Sequence, residues 1–260
     1  MNRWKNILLD KNDEISSSIL RRFHNQTVWI NTNNKKSSLS NEQTEWLKNN
    51  SDLSSNYLPN IYDKEISLKE ETFIKNRGSI RKFSKEAINI DLIASLLNKA
   101  FGSNNHGYSR RYPSAGALYT VVPILYVFNN NGDIKSGIYV YDPQKYRLLR
   151  IKNNIIHDKN LIRSIAINSS KSFLPSNYSI GYAVNLNGSI SKYGLRGYRH
   201  ALIEVGLMAQ AFRESCLDLN IGEYCSSDFD DFEVTYESNL NLRDMPICLL
   251  QWFGRIPNDN

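Results

Sequence analysis

Hydrophobic residues recur most regularly between residues 198 and 219 of the chain. They are spaced by three or four positions, as follows: Ala201, Leu202, Val205, Met208, Ala209, Phe212, Cys216 and Leu219. This period places apolar side chains on one face of an α-helix. Because that face is wide and long, we predict a helix from Tyr198 to Leu219 that crosses the centre of the core.

Shorter patterns predict the elements around this helix. Asn89 is a favoured helix-capping residue, the apolar residues after it keep a helical spacing to Phe101, and Gly102 supplies a stop. Apolar runs predict strands, two of them joined as a hairpin at Asp142 and Pro143, in these ranges: Val121 to Phe128, Gly137 to Asp142, Arg147 to Ile151, Ser179 to Leu186 and Met245 to Phe253. Helices mixed with hairpin-linked strands indicate an α+β fold.

Residues 1–70 differ from the rest of the chain. Positions 31–60 contain fourteen Asn or Ser residues, a composition that favours loops over a packed core. Only short helices are predicted here, from Ile15 to Phe23 and from Glu42 to Leu47. We therefore expect residues 1–70 to be an extension that packs on the core or on a partner, and residues 71–260 to form the main domain.

Composition narrows the classes of function. The net charge of +6 fits an anionic cofactor or an acidic peptide, and the absence of a long Lys/Arg run argues against a nucleic-acid-binding arm. The three cysteines and four histidines lack the spacing of a disulfide framework or a metal site. The start of the chain has no signal-peptide core, and no apolar run is long enough to span a bilayer. We expect a cytoplasmic protein without a metal, a nucleic acid or a membrane as partner.

The first segment with potential chemistry is R-G-S-I-R-K-F. Arg77 and Arg81 flank Ser79, so two guanidinium forks and a hydroxyl can bind a phosphate together. Gly78 allows close approach of the backbone. A basic loop on a solvated surface would explain the same residues.

The second segment is P-S-A-G-A-L-Y. Its small residues, Pro113, Ser114, Ala115 and Gly116, leave the main chain bare, so its N–H and C=O groups can lie against a flat heteroaromatic ring. A tight turn into a strand is the alternative explanation.

The third segment, S-K-Y-G-L-R-G-Y-R, leads into the long helix. Lys192 lies next to Tyr193, and an ammonium near a phenol stabilises the phenolate needed for proton transfer. Neighbouring side chains diverge in regular structure, so both face one site only if the stretch is irregular, which Gly194 and Gly197 permit. An exposed basic loop at the helix start is the alternative.

The fourth segment, I-G-E-Y-C-S-S-D-F-D-D, follows the long helix. Its small residues and acids, Ser226 and Ser227 among them, predict a turn. A helix stop and a loop explain it adequately when it is considered alone.

Taken in order over residues 73–256, these segments resemble the azoline dehydrogenases, the SagB-type or McbC-like enzymes of the FMN-dependent nitroreductase superfamily. G-I-Y-V-Y-D-P, and Gly206 and Gln210 in the long helix, add to the resemblance. The resemblance implies a nitroreductase-like α+β fold, with a mostly antiparallel central sheet flanked by helices and FMN bound at a homodimer interface. It also implies partnership with a YcaO-type cyclodehydratase and oxidation of thiazoline or oxazoline rings of a ribosomally made precursor peptide to thiazole or oxazole, typically for a bacteriocin.

The resemblance also assigns roles to residues. It places the FMN phosphate at the first segment and at Arg255, and it places the flavin ring at the second segment. Lys192 and Tyr193 match the catalytic pair. Ser226 and Ser227 stand where many relatives have Gly-Gly near the flavin's reactive edge, and Thr120 stands where a proline is usual. These two departures leave the backbone shape of both loops open.

The implied reaction removes two hydrogens from adjacent ring carbons. One leaves as hydride to the flavin and the other as a proton to Tyr193 or Lys192, with dioxygen expected to reoxidise the flavin. Two alternatives remain. One is a generic NAD(P)H-dependent nitro- or quinone-reductase, and the other is a non-catalytic scaffold of a peptide-modifying complex.

Overall fold

A computed structural model gives the fold of the chain in two compact units, residues 1–31 with 79–260 and residues 32–78. It describes the following residues: 11–28, 30, 40–49, 63–67, 69, 78–103, 109–132, 134–167 and 174–257. The predicted boundary at residue 70 stays a prediction.

Within the described residues, six strands form one antiparallel sheet in the order β3-β2-β1-β4-β6-β5. The strands are β1 (Val121–Val127), β2 (Gly137–Asp142), β3 (Arg147–Asn153), β4 (Tyr178–Val184), β5 (Ile221–Ser226) and β6 (Ile247–Arg255). The hairpin of β2 and β3 turns at Asp142 as predicted, because the Asp142 carboxylate accepts the backbone N–H groups of Gln144 and Lys145.

Helices cover both faces of the sheet. They are α3 (Ile90–Phe101), α4 (Lys159–Ser164), α5 (Leu186–Tyr193), α6 (Arg196–Asp218) and α7 (Asp231–Glu237). The predicted Asn89 cap is present, since its side chain accepts the N–H of Leu92. On one face α3 and α6 pack together, and Phe101 stacks on Phe212 with ring centroids 5.7 Å apart. On the other face α4 and α7 cover a second apolar cluster built around Trp252.

An additional helix, α1 (Lys11–Thr27), lies against α5 and the start of α6. Ser17 Oγ donates to Asn187 Oδ1 at 2.9 Å, and Arg21 pairs with Asp244 at 2.7 Å. His24 Nδ1 lies 2.8 Å from the hydroxyl of Tyr198 in a buried contact. The start of the chain therefore contributes one helix to the first unit.

Two regions differ from the sequence predictions. The predicted fourth strand ends at Val184, and Leu186 begins α5, because the Asn185 side chain accepts the N–H of Gly188 and caps a helix there. The segment after α6 is the edge strand β5 for residues 221–226, where we predicted a turn. Its backbone pairs with β6 throughout, so strand pairing overrides the local turn preference of its small residues.

The second unit contains α2 (Asn41–Asn49) among its described residues. The helix begins with reciprocal capping, because Ser40 Oγ accepts the N–H of Gln43 and Gln43 Oε1 accepts the N–H of Ser40.

Candidate functional site

Lys192 and Tyr193 meet the small-residue loop at Gly116. A Cβ placed on Gly116 would lie 2.6 Å from Tyr193 Oη and 2.9 Å from Lys192 Nζ. The Lys192 ammonium also lies 5.5 Å from the centroid of the Tyr193 ring. The two polar groups and the bare backbone of Gly116 therefore form one site, and Tyr193 is 36% exposed, so a ligand can reach it.

The stretch that carries this pair is regular, contrary to the prediction. Lys192 and Tyr193 are the last two residues of α5, and Gly194 ends the helix with a φ of 56°. Successive side chains on a helix do diverge, but the long stem of Lys192 bridges that angle, and Gly194 ends the helix directly after the pair. Irregular backbone is therefore not needed to bring the two groups together.

The loop that faces this pair has an unusual backbone. Gly116, Ala117 and Tyr119 have φ values of 63°, 55° and 48°. Only glycine adopts this left-handed region without steric cost, so Ala117 and Tyr119 are strained. Strained residues of this kind persist where surrounding contacts fix them, and they are often found at binding sites.

A buried carboxylate fixes the loop from below. Glu204, on α6, is 3% exposed, and its Oε2 accepts the hydroxyl of Ser114 at 2.5 Å. Its Oε1 accepts the N–H of Val121 at 3.2 Å. Ser114 Oγ in turn accepts the N–H of Tyr119 at 2.8 Å. One side chain thus connects the start of the loop to its end.

Glu204 was not among the residues predicted from the sequence. A signal for it existed, because a single acidic residue interrupts the apolar face of α6 between Ala201 and Val205. Glutamate is rarely buried without partners, so an acid on a core-facing position indicates a hydrogen-bonded network.

The environment of Glu204 predicts a pH-dependent stability. Burial raises the pKa of Glu204 above its ordinary value of 4.5, while hydrogen bonds from Ser114 and Val121 oppose the shift. The stability that this residue contributes is therefore complete below pH 4.5 and is lost as the pH rises through the raised pKa. Urea unfolding measured at increasing pH is expected to show that the free energy of unfolding of the wild type falls relative to that of Glu204→Gln. A wild-type advantage that grows with pH would contradict this.

A second group of predicted residues lies along β5 and the end of β6. The N–H of Ile80 donates to the carbonyl of Glu223 at 3.0 Å, and the N–H of Ser84 donates to the carbonyl of Arg255 at 2.9 Å. The segment from Ser79 to Ser84 therefore follows the edge of the sheet. Its small neighbours allow this, since a Cβ on Gly222 would lie 2.7 Å from the Ile80 side chain.

The positive charges of this group are close to the same edge. The guanidinium of Arg81 lies 5.6 Å from the ring centroid of Tyr224, a cation–π contact. Arg255 Nε is buried and 3.8 Å from Glu86 Oε1, too far for a hydrogen bond, and within the described residues it has no hydrogen-bond partner. A buried guanidinium N–H without a partner can donate to an anion.

The remaining predicted residues are placed as follows. Arg77 lies outside the described residues, and Gly78 is exposed. Pro113 is exposed, and Ala115 is half-buried at the start of the short 3-10 turn that contains Gly116. Ser226 ends β5 and is half-buried, and Ser227 follows it on the surface.

Within one chain, the two groups occupy opposite ends of the sheet. The small-residue loop runs into Val121, which pairs with Val184 at the end of β4 where Ile247 begins β6. Arg255 ends β6, and the eight residue-to-residue steps along that nine-residue strand correspond to roughly 27 Å. The sequence segments are thus gathered into two clusters, one around Gly116 and one around Arg255.

The described residues contain no cluster of His, Cys, Asp and Glu suited to a metal ion. None of their helices has the length and hydrophobicity required to cross a bilayer.

Comparison with known proteins places the chain among relatives of similar sequence. Residues 74–254 match the sequence profile of the nitroreductase family. The chain is 28% identical to the microcin B17-processing protein McbC of Escherichia coli over 179 aligned residues. The aligned region covers 67% of this chain and 65% of McbC. The match therefore spans slightly less than two thirds of McbC. A protein of Methanocaldococcus jannaschii described as a nitroreductase is 27% identical over 195 residues, 74% of this chain and 92% of its own length.

Solved structures extend the likeness to the fold. A chain of the E. coli microcin synthetase McbBCD complex with truncated pro-MccB17 bound has a TM-score of 0.80, with 95% of each chain covered at 23% identity. A nitroreductase structure from Ralstonia eutropha has a TM-score of 0.59 at 16% identity, with 75% and 89% covered. The predicted α+β nitroreductase-like fold and the resemblance to McbC-like proteins are both confirmed. Because the family profile covers well over half of its length, the chain belongs to the nitroreductase family.

Proposed function

We propose that this chain is an FMN-dependent dehydrogenase that oxidises thiazoline or oxazoline rings of a ribosomally made precursor peptide to thiazole or oxazole. The observation that carries the proposal is the meeting of Lys192 Nζ and Tyr193 Oη at Gly116. Ring oxidation needs a proton acceptor beside a flat cofactor, and these two groups, next to a bare backbone loop, fit that need.

The described residues fit FMN. The phosphate would be held by Ser79, Arg81 and Arg255, the last with a buried N–H free to donate. The flavin ring would lie against Ser114, Ala115 and Gly116, with Pro113 before them and Ser226 and Ser227 at its edge. Arg77 and Gly78 stay predicted phosphate-binding residues. When bound, FMN supplies the hydride acceptor of the reaction.

The proton is handled by the protein. Tyr193 and Lys192 are within reach of one another, so an ammonium can stabilise the phenolate while the phenolate removes the ring proton. With the azoline ring between the flavin and this pair, the hydride would have the flavin as its acceptor and the proton would have the phenolate.

A second copy of the chain completes the proposed site. The small-residue loop joins the sheet at the end where β6 begins, and Arg255 stands at the other end of that strand, which is roughly 27 Å long, so we infer that a single cofactor touches both clusters across two chains. The surface of α6 suits such a homodimer. Large apolar side chains are exposed along it, with Leu202 at 42%, Ile203 at 55% and Leu207 at 36%.

A matched pair of variants tests the dimer. Ile203→Glu places a charge on the exposed apolar row and is expected to yield monomers that bind FMN poorly, because the second cluster is then missing. Leu149→Glu, at a comparably exposed position on β3, is the control and is expected to remain dimeric. Sedimentation velocity and flavin absorbance give both readouts, and a dimeric, yellow Ile203→Glu would contradict the arrangement.

The proposed substrate and partners are suggested by the likeness to a chain of a microcin synthetase complex that has a truncated pro-peptide bound. A precursor peptide carrying azoline rings is the proposed substrate, and a YcaO-type cyclodehydratase that forms those rings is the proposed partner. The basic charge of the chain is compatible with an acidic peptide segment.

Arg255 gives a quantitative test of the phosphate site. Arg255→Met keeps the stem but removes a charge-assisted hydrogen bond of about 1.5–3 kcal/mol, so the FMN dissociation constant is expected to rise about tenfold to a hundredfold. Arg147→Met, which removes an exposed arginine paired with Asp142, is the control. Fluorescence titration measures the FMN affinity of both variants. Equal affinities of Arg255→Met and Arg147→Met would show that Arg255 is not part of the phosphate site.

Anaerobic spectroscopy separates the proposed function from its alternatives. FMN-reconstituted protein should be yellow and should lose its flavin absorbance when an azoline-containing peptide is added. Bleaching by NADPH, with turnover of a quinone and none of the peptide, would favour the generic reductase. A protein that stays colourless with added FMN would favour the scaffold.

A further inference from the structure

We propose that Glu204 is a positioning residue: through Ser114 it holds the loop of residues 114–119 in the shape that sets Gly116 against Lys192 and Tyr193. This inference rests on the proposed function for its kinetic consequences, although the contacts it concerns are independent of any substrate. Glu204 lies on the central helix beneath the loop and is distinct from the residues proposed to touch the flavin or the ring.

The loop conformation needs an external restraint. Ala117 and Tyr119 have positive φ values of 55° and 48°, and each such non-glycine residue costs on the order of 1–3 kcal/mol. The backbone bonds inside the loop are few, with the N–H of Ala117 donating to the Ser114 carbonyl at 3.0 Å. Left to itself, this segment would relax toward a less strained shape.

The carboxylate supplies that restraint at three points. Glu204 accepts the Ser114 hydroxyl at 2.5 Å and the Val121 N–H at 3.2 Å, while Ser114 Oγ accepts the Tyr119 N–H at 2.8 Å. These bonds tie the first residue, the strained Tyr119 and the start of β1 to one buried side chain. Arg110, whose guanidinium lies 4.1 Å from the Tyr119 ring centroid, covers the loop from the other side.

The restraint reaches the reactive pair through Gly116. Space for a Cβ there is already taken by Tyr193 Oη and Lys192 Nζ, so the loop and the pair are in direct contact. His200, one helical turn before Glu204, packs its ring edge to face on Tyr193 with centroids 5.0 Å apart. A shift of the loop by about 1 Å would therefore change the position of both polar groups and can lower a reaction rate about a hundredfold.

Four single variants and one double variant separate positioning from general stabilisation. Glu204→Ala removes both acceptors and should lower kcat for azoline oxidation about tenfold to a hundredfold. Glu204→Gln keeps an acceptor for Val121 and should fall between it and the wild type. Ser114→Ala should match Glu204→Ala, and combining the two should cost little more, because both break one connection. Glu214→Gln, on the same helix but on the surface beside Arg111, is the control and should behave as wild type.

Hydrogen exchange of residues 114–121, followed by mass spectrometry in FMN-loaded protein, reports the loop without reference to activity. The exchange rate of this segment should rise in Glu204→Ala and in Ser114→Ala. In both variants the affinity for FMN should fall by a smaller factor than kcat. Faster exchange at unchanged kcat, or lower kcat at unchanged exchange, would overturn the proposal. Should Glu204→Ala fail to fold, Glu204→Gln and Ser114→Ala decide it by the same comparison. A wild type that oxidises no azoline would refute the proposed function alone, since exchange still decides whether Glu204 holds the loop.

Discussion

A chain carrying Lys192→Met and Tyr193→Phe together is expected to bind FMN normally and to lose about a hundredfold to ten-thousandfold of its azoline oxidation rate. Both replacements keep the shape of the side chains and remove the ammonium and the hydroxyl that meet at Gly116. A positioned proton acceptor contributes a factor of this size to a reaction rate. The phosphate-binding groups lie in the other cluster, so the flavin content should not change.

The chain contains its own control for this double variant. Lys145 and Tyr146 are also consecutive, but they lie in the turn between β2 and β3, where the Tyr146 hydroxyl bonds to the Ser103 carbonyl. Lys145→Met with Tyr146→Phe should leave the rate of ring oxidation unchanged. Single-turnover reduction of the bound flavin by an azoline peptide measures both variants. Undiminished azole formation after loss of the 192–193 pair would remove its catalytic assignment.

Gly116→Ala is expected to disrupt the same site from the opposite side. The new methyl would lie 2.6 Å from Tyr193 Oη and 2.9 Å from Lys192 Nζ, distances that force the loop or the pair to move. The φ of 63° adds strain for any residue other than glycine. We expect the rate of ring oxidation to fall about tenfold to a hundredfold, and the free energy of unfolding to fall by about 1–3 kcal/mol.

Tyr193→Phe separates the steric effect from the backbone effect. It removes the atom nearest to the added methyl, so the loss of unfolding free energy caused by Gly116→Ala should be smaller in the Tyr193→Phe background. Thermal or urea unfolding of the four chains provides the cycle. An identical loss in both backgrounds would mean that backbone strain alone accounts for the effect and that the contact is unimportant.

The elements that the sequence predicted well are those with strong local signals. The apolar face of α6, the Asn89 cap of α3 and the turn at Asp142 are decided by residues close together in the chain, and the structure reproduces all three. One member of the predicted apolar face is wrong, because Leu202 is 42% exposed. The strand nature of residues 221–226 was missed, because it depends on pairing with β6, which lies about 25 residues further along.

The predictions for the site divide in the same way between local signals and contacts distant in the chain. Lys192, Tyr193 and Gly116 were named from their segments, yet the regular helix that carries the pair was not expected, since side-chain reach is not encoded in spacing. The role of Glu204 depends on a contact with Ser114, 90 residues away in the chain, that no local pattern reveals. The separation of Arg255 from Gly116 likewise follows from sheet register. In the proposed homodimer, one cofactor would contact the Gly116 cluster of one chain and the Arg255 cluster of the other.

The proposed function is tested most directly by mass spectrometry of a bis-azoline or single-azoline peptide after incubation with the FMN-reconstituted chain and dioxygen. We expect the peptide to lose two hydrogens for every ring without NADPH, and to lose few or none when the chain carries Lys192→Met and Tyr193→Phe. An unchanged peptide mass with a fully yellow, dimeric protein, tested together with its cyclodehydratase partner, would contradict it.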